Sequence, residues 1–202
     1  EDTIMADSAR LIDQFHDAGP KAMTQIALAP CSPFSVTKGL MTAAAQLAKQ
    51  RGVLLHTHLA ETEDENGFCE EVFGCRPLDY VENCGWSETK SWYAHGIHFN
   101  ADEIQRLAKA GAGVASCSHS NMHLSSGICS ACELEQAGVA VGLGVDGSAS
   151  NDASNMIQEV RAAWLIQRLK YGSGAVSWQA ALRWGTEGRR ACWDERRILV
   201  AW

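Results

Sequence analysis

Short apolar runs alternate with longer segments of helical periodicity along most of this chain, and that alternation limits the folds open to it. Strands are expected at Ile26 to Ala29, Val53 to Leu59, Trp92 to Ala94, Gly113 to Cys117 and Ala140 to Val145. Helices are expected over Thr37 to Arg51, Glu65 to Val72, Pro77 to Cys84, Ala101 to Ala110, Ala131 to Gly138 and Ser154 to Tyr171, after an opening amphipathic helix over Thr3 to Asp17. Strands of about five residues separated by helices of ten or so define repeated βα units, which assemble into a parallel sheet. Gly52, Gly111 and Gly138 stand where helices should stop, and Asn100 and Ser154 where they should start.

Several of these runs end in residues able to bind a metal or move a proton. Val53 to Leu59 carries His56 and His58, followed at once by Glu61. Alternate side chains of a strand share a face, so the two imidazoles point the same way, and a turn after Ala60 brings Glu61 back over the same mouth. The run from Trp92 ends in His95, and Ala140 to Val145 ends in Asp146. Buried histidines are often only hydrogen-bonded core residues. Repetition at the carboxyl ends of separate parallel strands is instead the habit of a (β/α)8 barrel, whose βα loops gather at one face. A barrel of about 250 residues has eight such units; five are legible here, so the expected α/β fold is a partial TIM-type barrel, about strands 4 to 8, over 1–188. A doubly wound open sheet is the alternative, but no strand is followed by a Gly-rich phosphate loop.

Composition narrows the partners. The 202 residues are 46% hydrophobic and 20% charged, with a formal charge of -7. That balance argues against nucleic-acid polymers as partners, since no basic cluster interleaved with aromatics appears. No apolar stretch reaches the roughly 20 residues of a membrane span, so no membrane partner and a cytoplasmic location are expected. Eight scattered cysteines read as free thiols. Cys129-Ser130-Ala131-Cys132 has the spacing of a redox or zinc CxxC, which alone is a minor signal.

Together, His58-Leu59-Ala60-Glu61, His95-Gly96-Ile97-His98, Ser120-Asn121-Met122 with Ser126-Gly127-Ile128, and Gly144 through Asp152 resemble the amidohydrolase superfamily, in its aminohydrolase branch of chlorohydrolases and deaminases. Ala29 through Thr37 and Phe73 through Tyr80 are similar, within that branch, to the 8-oxoguanine deaminases. The resemblance implies hydrolytic deamination of a small aminated heterocycle, 8-oxoguanine first. Guanine, an adenosine derivative or an aminotriazine are the alternatives, and a non-catalytic metal-binding barrel fragment is the reading from another class.

It also implies roles. His58 and Asp146 would ligate one divalent ion, Zn2+ or Fe2+, both of which suit imidazole and carboxylate. Glu61 would shuttle protons, His95 would polarise the attacked centre, and Asp146 would also take a proton from the attacking water. Cys31, Ser32 and His119 are candidates for contact with substrate. A homo-oligomer is expected by analogy.

Two features depart from the family. Its first-strand HxH, which gives two more metal histidines, has no counterpart upstream of His56, where only His16 stands. The chain is therefore expected to be part of a longer enzyme. The stretch from Arg189 to Trp202 matches nothing in the family, and a shifted reading frame is the expected cause.

Simpler roles are expected elsewhere. Asp64 and Glu65 would favour a helix dipole, Glu70 and Glu71 a solvated face, and His98 a structural place. Trp164, Leu165 and Ile166 would pack in the core, while Trp178, Trp184 and Trp202 would be partly stranded.

Overall fold

The computed structural model describes residues 1–19 and 22–188. Helix α1 (Asp2–Phe15) precedes β1 (Ala27–Leu28), α2 (Lys38–Arg51), β2 (Leu54–Leu59), α3 (Glu63–Phe73) and α4 (Pro77–Asn83). Then come β3 (Ser91–His95), α5 (Ala101–Ala110), β4 (Gly113–Ser116), α6 (Ser118–His123), α7 (Ala131–Ala137), β5 (Ala140–Leu143), α8 (Met156–Tyr171) and α9 (Trp178–Arg183). The strands form one parallel five-stranded sheet in sequential order, β1-β2-β3-β4-β5. That is the arrangement expected of a partial barrel.

The helix ends follow the local chemistry of the sequence. Thr37, Asn100 and Ser177 accept hydrogen bonds from backbone N–H groups of the helices they cap. Gly52, Gly74, Gly111 and Gly138 close α2, α3, α5 and α7 in the left-handed conformation. At α8 the cap is Asn155 rather than Ser154, because the Asn155 side chain reaches the N–H groups of Ile157 and Gln158.

Along β2 burial alternates, with Leu55, Thr57 and Leu59 fully buried and His56 and His58 partly buried on the other face. The buried set joins a core that includes Met41 and Ala45 of α2, Tyr93, Val114, Val141 and Leu134. Trp92 and Ala94 lie level with His56 and His58 in the adjacent strand, so they share the histidines' face. The His56 ring accordingly stacks on Trp92 with 4.6 Å between centroids.

Some expectations of packing are revised. Leu165 is exposed, because it lies on the outer side of α8 with Ile157 and Leu169. Trp184 is buried at 1% exposure, its Nε1 donating to Glu135, whereas Trp178 is exposed. Trp202 and the atypical stretch from Arg189 lie outside the described residues. Among the described residues no helix is long and apolar enough to cross a membrane.

Candidate active site

Three strand ends converge. The donor atoms of His58, His95 and Asp146 all lie within 4.8 Å of one another. Glu61 Oε2 stands 3.6 Å from His95 Nε2, and Asp146 Oδ2 stands 3.8 Å from it. The His58 and His95 rings are 5.5 Å apart between centroids.

Left-handed backbone at three non-glycine residues makes this possible. Ala60 has φ 52, His95 φ 67 and Asp146 φ 64. Side chains resist this region, and such outliers gather at functional sites where the surrounding structure holds them. The Ala60 turn carries Glu61 back over the strand end, as the sequence suggested. The His95 turn does more. His95 is level with Leu59 and two residues beyond Tyr93, both in the core. Regular alternation would send its side chain toward the helices, but at φ 67 it meets Glu61 and Asp146 instead.

Each proposed donor is oriented by a second group. His58 Nδ1 lies 2.7 Å from the Cys31 carbonyl and donates to it, which leaves Nε2 with a free lone pair. His95 Nδ1 donates to Asn121 Oδ1 at 2.9 Å, with both residues buried. Ser120 Oγ donates to Asp146 Oδ2 at 2.5 Å and also meets Ser150 Oγ at 2.8 Å. Burial raises the Asp146 carboxyl, but the Ser120 hydroxyl, the Gly147 N–H and the two imidazoles outweigh it and hold the group below its ordinary value. Burial also lowers the pKa of His56, against the pull of the Trp92 carbonyl.

This donor set fits a divalent ion. Two imidazoles with their Nδ1–H groups committed to oxygens, beside an ionised carboxylate, form the pattern in which outer partners fix the ligating tautomer. Bonds of about 2.0–2.2 Å to one ion would draw the three together from their present spread. The sequence suggested two ligands; the structure brings His95 into the same cluster as a third donor.

The other expected residues are placed differently. Cys31 is exposed, with its Sγ 4.0 Å from His58 Nδ1, yet its carbonyl makes the stronger contribution by binding the His58 ring, the His58 N–H and Thr57 Oγ1. Ser32 Oγ pairs with Ser35 Oγ at 3.0 Å. His119 Nδ1 donates to the buried Glu159 carboxylate at 2.7 Å, and the residue lies outside the three-residue cluster. His98 bridges Glu63 and the Ser126 carbonyl, a structural place as expected.

Ser120 and Asn121 carried no assigned role in the sequence. Their signal was position, immediately after the β4 run and inside the Ser120-Asn121-Met122 motif. Glu65 was read as a dipole partner, but it is 2% exposed and its carboxylate accepts from the Ala60 and Glu61 N–H groups at 3.0 and 2.9 Å.

The sequence profile of the amidohydrolase family matches residues 1–190. The chain belongs to the amidohydrolase family. It is 57% identical over 187 residues to the 8-oxoguanine deaminase of Pseudomonas aeruginosa, covering 93% of this chain and 42% of that protein. It is 43% identical over 169 residues to the hydroxydechloroatrazine ethylaminohydrolase of Pseudomonas sp. strain ADP, covering 84% of this chain and 35% of the relative. Among solved structures, a zinc-bound adenosine deaminase from Xanthomonas campestris superposes with a TM-score of 0.89 at 29% identity, over 96% of this chain and 44% of that one. The zinc complex of atrazine chlorohydrolase from Arthrobacter aurescens gives 0.90 at 32% identity, over 96% and 43%. The chain thus spans about two fifths of the length of these family members.

Proposed function

We propose that this chain carries the proton-transfer groups and part of the metal site of a hydrolytic deaminase acting on a small aminated heterocycle, with 8-oxoguanine as the substrate. The convergence of His58, His95, Asp146 and Glu61 at the carboxyl ends of parallel strands carries the reading. The substrate choice is supported by the 57% identity to an 8-oxoguanine deaminase.

His58, Asp146 and His95 would hold the ion, Zn2+ or Fe2+ being equally suited to the donors. Such an ion supplies a hydroxide nucleophile near neutral pH by lowering the pKa of water to about 7. The remaining steps fall to the protein. Asp146, oriented by Ser120, accepts the proton released by the attacking water as the C–O bond forms at the amine-bearing carbon. Glu61 delivers a proton to the adjacent ring nitrogen, then takes the proton of the new hydroxyl group and carries it to the amine, which leaves as ammonia as the C–N bond breaks and the C=O bond forms; the proton held by Asp146 replaces the one Glu61 gave up. His95, its Nδ1–H fixed by Asn121, presents an unprotonated Nε2 between the two carboxylates as the third donor to the ion.

The test begins with sequencing the DNA that flanks this coding segment and expressing the parent gene. Loss of 8-oxoguanine absorbance coupled to ammonia release is expected, with Glu61→Gln lowering kcat by about 10²–10⁴ while metal content is retained. Unchanged turnover in Glu61→Gln would remove Glu61 from the mechanism. The 43% identity to the ethylaminohydrolase makes an aminotriazine the second substrate to assay. Preference for it over 8-oxoguanine would replace the substrate while keeping the chemistry.

A further inference from the structure

We infer that Glu65 is a positioning residue, a buried carboxylate clamp that holds the left-handed turn at Ala60 and so aims Glu61 across the site. The inference rests on the deaminase reading for its effect on turnover, but the clamp itself is visible in the geometry. Thr62-Glu63-Asp64-Glu65 has the form of a capping box, and Thr62 Oγ1 does accept from the Glu65 N–H at 3.2 Å. In that motif the acidic side chain normally returns to the N–H of the capping residue itself. Asn100 and Glu103 of this chain do so at α5. Glu65 reaches further back, giving one oxygen to the N–H of Ala60 and the other to the N–H of Glu61.

The opposite side of the turn is held as firmly. The Ala60 carbonyl accepts from Ile97 and His98 N–H groups at 2.8 and 3.0 Å, and the Leu59 carbonyl accepts from Gly96 at 3.1 Å. Ala60 and Glu65 are 1% and 2% exposed, so water cannot stand in for either set of bonds. The acceptors and donors together join the turn that bears Glu61 to the turn that bears His95. An alanine at φ 52 gains nothing locally from that conformation. The clamp explains why it persists.

Both carboxylate oxygens are required, which makes glutamine a sharp test. Glu65→Gln keeps size but sets an NH2 group against one of the two N–H donors. In the full-length parent above about pH 8, where Glu65 is ionised, amide exchange at Ala60 and Glu61, read by mass spectrometry, is expected to speed up about tenfold or more, as loss of a hydrogen bond to a charged group implies. Displacement of Glu61 is expected to lower kcat by about 10–100-fold, with KM within about threefold and metal content unchanged. Exchange and kcat both at wild-type values would overturn the clamp, as would a loss of activity that only tracks loss of metal.

If Glu65→Gln does not fold, the double variant Ala60→Gly, Glu65→Gln decides the matter, because glycine adopts this φ without the steric cost. It is expected to restore folding, and with it a measurable exchange rate and turnover; failure to restore it counts against the clamp. If Glu61→Gln keeps full turnover, the deaminase reading falls, while the exchange measurement still judges the clamp.

Discussion

Replacing Asn121 by alanine isolates the orientation of His95 from the chemistry of the site. Asn121 and His95 are 2% and 1% exposed, and the bond from His95 Nδ1–H to Asn121 Oδ1 is 2.9 Å long. Removing the acceptor strands a buried donor, which costs about 1–3 kcal/mol. The same bond fixes which ring nitrogen faces Glu61 and Asp146, and losing such an outer partner lowers metal affinity or activity by about 10–100-fold. At about 1.36 kcal/mol per decade, that range is roughly 1.4–2.7 kcal/mol, so the two routes agree. In the full-length parent, Asn121→Ala is expected to lose about 1–3 kcal/mol of denaturant stability when metal-stripped. Its metal affinity, measured by chelator competition, is expected to fall about 10–100-fold. Asn121→Asp keeps an acceptor and should stay within about tenfold of wild type. Wild-type metal affinity together with stability within about 0.5 kcal/mol of wild type in Asn121→Ala would refute the argument, since no buried donor would then have been stranded.

Two further outcomes are open to simpler measurements. Burial, opposed by its two backbone hydrogen bonds, raises Glu65 from 4.5 to about 7. A raised carboxyl favours the protonated form on folding, so its stabilising contribution is complete below pH 4.5 and fades as pH rises through about 7. Denaturation of the metal-stripped protein between these values should show a loss, relative to Glu65→Gln, of at most roughly 3 kcal/mol, and parallel curves would contradict the shift. At Gly96, φ is +57 and an added Cβ would meet Val114 Cγ1 at 2.7 Å and Phe99 Cε2 at 3.0 Å. Gly96→Ala should therefore cost about 2 kcal/mol or more in thermal or denaturant unfolding. A change below about 0.5 kcal/mol would show that the turn relaxes freely.

Much of this fold was legible because its signals are local. Helix α5 runs over Ala101–Ala110, the same range as its sequence pattern predicts, since Asn100 and Gly111 mark its ends by their own chemistry. Strand alternation put His56 and His58 on one face, for β2 alternates regularly from Leu54 to Leu59, and the family resemblance singled out His58. Helix α6 (Ser118–His123) was missed because its six residues are rich in serine and carry no apolar periodicity. With it went the roles of Ser120 and Asn121, whose partners Asp146 and His95 are both 26 residues away in the chain.

The sequence by itself determined the βα order, the ends of helices such as α5 that carry strong caps, the face of β2 that carries the imidazoles and the family to which the chain belongs. These follow from side-chain periodicity and from caps that act over three or four residues. Only the tertiary structure decided that His95 leaves the helix-facing side of its strand, that Glu65 grips the turn before Glu61, and that the Cys31 backbone rather than its thiol orients His58. Each depends on a left-handed residue or a buried polar bond held by strands distant in sequence, and no local pattern encodes a conformation that its own residues disfavour.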